Sequence, residues 1–120
     1  MTGQVLLTTT VGSFPKPAYL LEARRKHARK QLGSEDLGAL ERQATSEWIR
    51  RQEEVGLDIL VDGEMYRGGM VAFFADQMDG FAIAGLVRSY GNRYYPKPAV
   101  VGPVGRRAPL TVDWWRFAQG

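Results

Sequence analysis

The sequence predicts an α/β fold built on parallel strands. Three observations carry this: an apolar, β-branched run near the N-terminus, a long stretch of helical periodicity, and a second short apolar run ending in Asp62-Gly63-Glu64. Parallel neighbours need a long crossover, usually helical, and the order strand, helices, strand supplies one. Parallel strands are covered on both faces, so the architecture is an α/β barrel or a doubly wound sheet.

The first strand is expected over Gln4 to Val11. Gly12-Ser13-Phe14-Pro15 stops it, since Pro15 and Pro17 have no N–H to give to a ladder. Helical spacing follows, with Leu20, Leu21, Ala23, Ala28 and Leu32 as the inner face, ending at Gly33. Ser34 is a good N-cap, and Glu35 and Asp36 suit the positive end of a second helix. Leu37, Leu40, Ala44, Trp48 and Val55 make its apolar stripe, and Gly56 suits the position just past its end. Leu57 to Val61 is a short strand. Met70 to Met78 reads as a short helix. Phe81 to Val87 and Pro98 to Val104 read as extended pieces joined by the 88–97 loop, a β-hairpin excursion at one mouth of a barrel. Thr111 is an N-cap for a last helix through Val112, Trp114, Trp115, Phe117 and Ala118. No repeat, low-complexity tract or domain linker interrupts the chain.

Composition narrows the function classes. With 120 residues, 44% hydrophobic and 24% charged, the chain resembles an ordinary globular domain able to bury a core. No apolar run is long enough to span a membrane, and Met1 to Leu7 lacks the regions of a signal peptide. The absence of cysteine excludes disulfides and thiolate ligands and fits the cytoplasm. The net charge of +3 owes much to Arg24, Arg25, Lys26, Arg29 and Lys30. No aromatic residues interleave with this cluster as base stacking would require, so it is expected to be a solvated helix face and not a nucleic-acid site.

Candidate site residues lie where the strands end. Carboxylates at the C-terminal ends of barrel strands face the active-site mouth. Asp62 and Glu64 hold that position, on one side if the strand stays regular, and either could bind an ammonium, take a proton or ligate a metal. Asp62 could equally cap the next turn. Val11-Gly12-Ser13 ends the first strand in the same layer, where exposed N–H groups could hold a carboxylate. Arg93, among Tyr90, Tyr94 and Tyr95, suits an anionic or planar ligand. The single histidine, His27, sits in the basic helix as a surface residue. No phosphate loop, zinc-ligand spacing or Ser/His/Asp set is present, so no catalytic residue and no metal ligand is assigned.

Several strings together resemble one family. Thr8-Thr9-Thr10-Val11-Gly12-Ser13-Phe14-Pro15 is similar to the opening of the catalytic domain of cobalamin-independent methionine synthase. Gln52 to Glu64 resembles its second strand and preceding helix. Met70-Val71 with Phe74, Asp79-Gly80-Phe81, Ser89-Tyr90-Gly91-Asn92-Arg93 and Ala108 to Trp114 continue the likeness in order. The resemblance implies a partial (β/α)8 TIM barrel, residues 1–120 being the N-terminal portion of the barrel domain. It implies methyl transfer from methyl-tetrahydrofolate, or a methyl-corrinoid, to the thiol of homocysteine, giving methionine. A zinc ion that lowers the thiol pKa goes with that chemistry. Its ligands in the family, one His, two Cys and a Glu, lie on later strands, and none maps onto this chain.

The same resemblance places Val11, Gly12 and Ser13 at the homocysteine carboxylate, Glu64 at its amino group, and Arg93 and Tyr94 at the folate donor. The spacing from the first strand to Glu64 looks more like the short single-barrel relatives, some of which act on other thiols such as coenzyme M. A complete barrel takes about 250 residues. The chain is therefore expected to be a fragment, a truncated product or half of a self-associating assembly, inactive alone. The alternatives are a non-catalytic interaction module and a small self-contained α/β domain.

Overall fold

The computed structural model describes residues 6–120, so Gln4 and Val5 of the first expected strand, and Met1 to Val5 of the N-terminus, lie outside the described residues. The elements run α1 (Ala18–Ala28), α2 (Ser34–Val55), α3 (Met70–Asp76), β1 (Met78–Arg88), β2 (Tyr94–Arg106) and α4 (Val112–Gln119). They pack as two compact units, one of residues up to Tyr66 with Trp115–Gly120, the other of Arg67–Trp114.

In the first unit α1 and α2 pack against each other around Leu20, Ala44 and Met65, all fully buried, with Phe14, Tyr19, Leu37, Leu40 and Trp48 packed on them. Burying a leucine such as Leu20 contributes roughly 2 kcal/mol. The inner face of α1 is narrower than its apolar residues suggest: Leu20 and Ala23 are buried, while Leu21 and Ala28 are exposed. α2 begins with Ser34 already helical and Gly33 as its cap, one residue before the expected cap. It ends as expected at Gly56, whose φ of 87° is the left-handed conformation glycine adopts without strain.

The α2 stripe departs from expectation at its end. Val55 is 79% exposed, while Gln52 is 4% exposed. Gln52 lies four residues after Trp48 and so continues the inward face that Val55 leaves. Tyr19 ties the two helices together by donating its hydroxyl to Glu47 Oε2 at 2.8 Å. Desolvation, then the hydrogen bond and charge of Glu47, push the Tyr19 phenol up to about 12.

Neither expected parallel strand forms a regular ladder in the described residues. The two segments do run side by side in one direction: Ile59 N–H donates to the Thr8 carbonyl and Phe14 N–H to the Gly63 carbonyl, both at 3.0 Å. Side chains intercept the remaining pairing. Thr9 Oγ1 donates to the Ile59 carbonyl at 2.9 Å. The Asp58 carboxylate accepts from both the N–H and the hydroxyl of Thr8, each at 2.7 Å. The Gln52 amide donates to the Val61 carbonyl at 2.7 Å and accepts from the Val61 N–H at 3.0 Å. One glutamine thus supplies both bonds that a neighbouring strand would otherwise make.

The second unit is a short helix and an antiparallel hairpin. α3 ends at Asp76, before the expected Met78, because Met78 opens β1. β1 and β2 contain both extended pieces expected from the sequence and pair antiparallel, with Arg88 opposite Tyr94 and Phe81 opposite Val100. The register shifts between Asp79 and Phe81. There Gly80 has φ 87°, and a Cβ would stand 2.4 Å from the Pro103 carbonyl oxygen, so only glycine fits. Arg107 fastens the base of the hairpin by donating to the Asp76 carbonyl at 2.6 Å and pairing with Asp79 at 3.3 Å. α4 follows Thr111 as expected and has no buried residue. No helix among the described residues is long and apolar enough to cross a membrane.

Candidate functional site

The chain leaves its first extended segment through Val11-Gly12-Ser13, which is exposed to solvent. Gly12 has φ 92° and open space where a side chain would be. Backbone N–H groups on such a stretch can be approached closely by a ligand. Phe14 then anchors the segment. Its ring packs on Trp48 with centroids 4.7 Å apart, and the Trp48 indole N–H donates to the Pro15 carbonyl at 3.1 Å.

The Phe14 N–H bond to the Gly63 carbonyl brings the Ser13 end beside the turn that carries Glu64. That turn is not the regular strand end expected from alternation. Gly63 and Glu64 take φ values of 72° and 61°, so the alternation argument for placing Asp62 and Glu64 on one side does not apply. The capping alternative for Asp62 is the one found: its Oδ1 accepts from the Glu64 N–H at 3.0 Å. A non-glycine residue held left-handed is uncommon and marks a place where the surroundings fix the backbone.

The surroundings here are specific. A Cβ on Gly63 would stand 2.8 Å from the Phe14 ring. Lys16 Nζ donates to the Glu64 carbonyl at 3.3 Å. Arg24 reaches the next carbonyl, that of Met65, at 3.5 Å, so this member of the basic cluster turns inward from the solvated face. Glu41 lies in the same neighbourhood. Burial raises its pKa, and the charges of Arg24, His27, Arg42 and Lys16 oppose that shift. Below this turn, the Thr8 backbone N–H and then its hydroxyl hold the Asp58 carboxyl below the usual range.

Arg93 and Tyr94 belong to the second unit, at the tip of the hairpin. The tip is closed by Ser89 N–H donating to the Arg93 carbonyl at 2.8 Å and by Arg88 donating to the Gly91 carbonyl at 2.9 Å. The Arg93 guanidinium lies over the Tyr90 ring, 5.6 Å from its centroid, in a cation–π contact, and Tyr94 is exposed. His27 hydrogen-bonds the Leu32 carbonyl through Nδ1 at 2.9 Å, a structural tie at the end of α1.

Among the described residues no three His, Cys, Asp or Glu side chains come together as a metal-holding group. The sequence has one histidine and no cysteine. These residues do not fit the zinc that the resemblance implies.

Sequence reasoning missed Lys16 and Gln52. Lys16 stands between two prolines, which fix the backbone on either side and make its direction dependable. Gln52 continues the four-residue spacing of Ala44 and Trp48, a polar residue where the stripe calls for an apolar one.

Two extended segments advancing together, with helices between them and a glycine-bearing mouth at their ends, define the opening of an α/β barrel. The chain superimposes on a B12-independent methionine synthase from Shewanella sp. W3-18-1, solved in complex with selenomethionine, with TM-score 0.76 and 28% identity, over 97% of this chain and 35% of that one. Residues 6–120 match the family described as cobalamin-independent synthase, catalytic domain, and the chain belongs to that family. The 5-methyltetrahydropteroyltriglutamate–homocysteine methyltransferases of Mesorhizobium japonicum and Caulobacter vibrioides are 46% and 47% identical to it. Those matches cover 93% and 96% of this chain and 15% of each relative. The chain thus spans about 15% of the length of these relatives. The fold class expected from the sequence, α/β with the first elements of a barrel, is the one found.

Proposed function

We propose that this chain supplies the amino-acid grip of a homocysteine S-methyltransferase. In this reading the Glu64 carboxylate pairs with the substrate ammonium. The backbone N–H groups around Val11, Gly12 and Ser13 take the substrate carboxylate. Arg93 and Tyr94 contact the methyl donor, methyl-tetrahydrofolate, whose anionic groups suit a guanidinium fork. The homocysteine thiol gives up its proton and its sulfur takes the methyl group, while the donor nitrogen keeps the N–C bonding pair and gains a proton, giving methionine and tetrahydrofolate. The acceptor must be a reduced thiol, so a cytoplasmic location goes with the reading.

The observation that carries the proposal is the juxtaposition of the Ser13 end and the Glu64 turn through the Phe14 N–H bond to Gly63. An anion-receptive backbone beside a carboxylate complements the two charged ends of an α-amino acid. The relatives named for homocysteine methyl transfer, and the solved relative holding selenomethionine, support the same substrate class. A sulfonate thiol such as coenzyme M has no ammonium for Glu64 to hold, so this pairing favours homocysteine over it.

Calorimetric titration of the 120-residue chain tests the reading. L-homocysteine is expected to bind, coenzyme M to bind more weakly, and Glu64→Ala to lower L-homocysteine affinity at least about tenfold through loss of the charge pair. Equal affinity in the Glu64→Ala chain, or no binding to the unaltered chain, overturns it.

A further inference from the structure

We propose that Lys16 and Asp62 are positioning residues that fix the direction of Glu64, an inference that rests on the amino-acid grip described above. The three carbonyls of Gly63, Glu64 and Met65 are each taken by a donor from the N-terminal part of the chain: Phe14 N–H, Lys16 Nζ and Arg24 Nη1. Lys16 and Asp62 act on Glu64 itself, one at its carbonyl (3.3 Å) and one at its N–H (3.0 Å). Both peptide groups flanking the Glu64 Cα are therefore held by side chains, and φ stays at 61°. Met65, fully buried, pins the chain one residue further on, and Gly63, pressed against Phe14, pins it one residue before.

A left-handed backbone throws its side chain to a different side from an extended one. If the segment relaxed to the extended conformation that L residues prefer, the Glu64 Cα–Cβ bond would turn and carry the carboxylate to a different side of the chain. The clamp therefore acts on the direction in which the carboxylate leaves the backbone. A carboxylate must be held to within a fraction of an ångström to distinguish a bound ammonium from a solvated one. A flexible lysine is suited to this role because its ammonium donates in several directions while its stem packs along the chain.

The test uses the 120-residue chain and two probes: L-homocysteine, and its des-amino analogue γ-mercaptobutyrate, which keeps the carboxylate and thiol but has no ammonium. Lys16→Met and Asp62→Ala are expected to weaken L-homocysteine about tenfold each, as a misdirected contact does. They should leave γ-mercaptobutyrate affinity unchanged, because the lost contact is to the ammonium alone. Lys16→Arg keeps a donor and Asp62→Asn keeps an acceptor, so both should restore most of the affinity. A general loss of structure would lower both probes together, and native-like amide spectra of Lys16→Met and Asp62→Ala guard against it.

If Lys16→Met and Asp62→Ala bind L-homocysteine as tightly as the unaltered chain while Glu64→Ala does not, the positioning role is overturned and the grip stands. The positioning role also falls if both probes weaken equally in folded variants. If Glu64→Ala itself has no effect, the grip fails and takes the positioning role with it.

Discussion

The helical unit and the hairpin unit reach order by opposite means. Around α1 and α2 the chain fills a small core, with Leu20, Ala44 and Met65 wholly buried. Along β1 and β2 almost nothing is buried: Leu86 is 67% exposed, Val100 65% and Val101 68%. There the order comes from backbone pairing, from Gly80 at the register shift and from Arg107 at the base. The contrast teaches where each kind of function can sit. A packed layer can fix the direction of a side chain, as the proposed pairing of Glu64 with an ammonium requires. An exposed hairpin tip carries Arg93 and Tyr94 on a support with little core, which fits their proposed role at the edge of a larger ligand.

The comparison can be broken most sharply at Leu20. Leu20→Ala leaves a hole in a site with no slack and should cost about 2–5 kcal/mol in denaturant unfolding followed by helical circular dichroism. Gln52→Leu comes next. It keeps the volume but strips both partners from the Val61 peptide groups, and should cost about 2 kcal/mol by the same measurement. Val100→Ala on the hairpin should change stability by no more than about 0.5 kcal/mol. A Val100→Ala effect as large as that of Leu20→Ala would mean that the hairpin's apolar face is covered in solution, by self-association for example, and the contrast would have to be redrawn.

The helices and the hairpin were legible because each rests on a periodicity local to its own segment. Leu37, Leu40, Ala44 and Trp48 repeat at three and four residues, and Phe81 to Val87 faces Pro98 to Val104 across a glycine-containing loop. The two N-terminal strands were legible in place and direction but not in bonding. Their pairing is taken over by Thr9, Asp58 and Gln52 from up to 50 residues away, and no local pattern announces which side chain will satisfy a distant peptide group. Val55 misled for a related reason: an apolar residue at the last turn of a helix need not face inward.

The candidate site was legible in its residues and not in its geometry. Ser13 and Glu64 stand out as polar residues at the ends of apolar runs. The left-handed turn at Glu64 does not, because its cause is the set of contacts from Phe14, Lys16 and Asp62, and a glutamate gives no hint of positive φ as a glycine would. The same turn converts Asp62 from a second candidate ligand into a cap.

The most direct test of the grip is a map of amide chemical-shift changes in the isotope-labelled chain as L-homocysteine is added. The account predicts that the largest changes fall together on Gly12, Ser13, Gly63 and Glu64 and saturate with one affinity. Changes confined to other segments, with these four amides unmoved at saturating ligand, would contradict it.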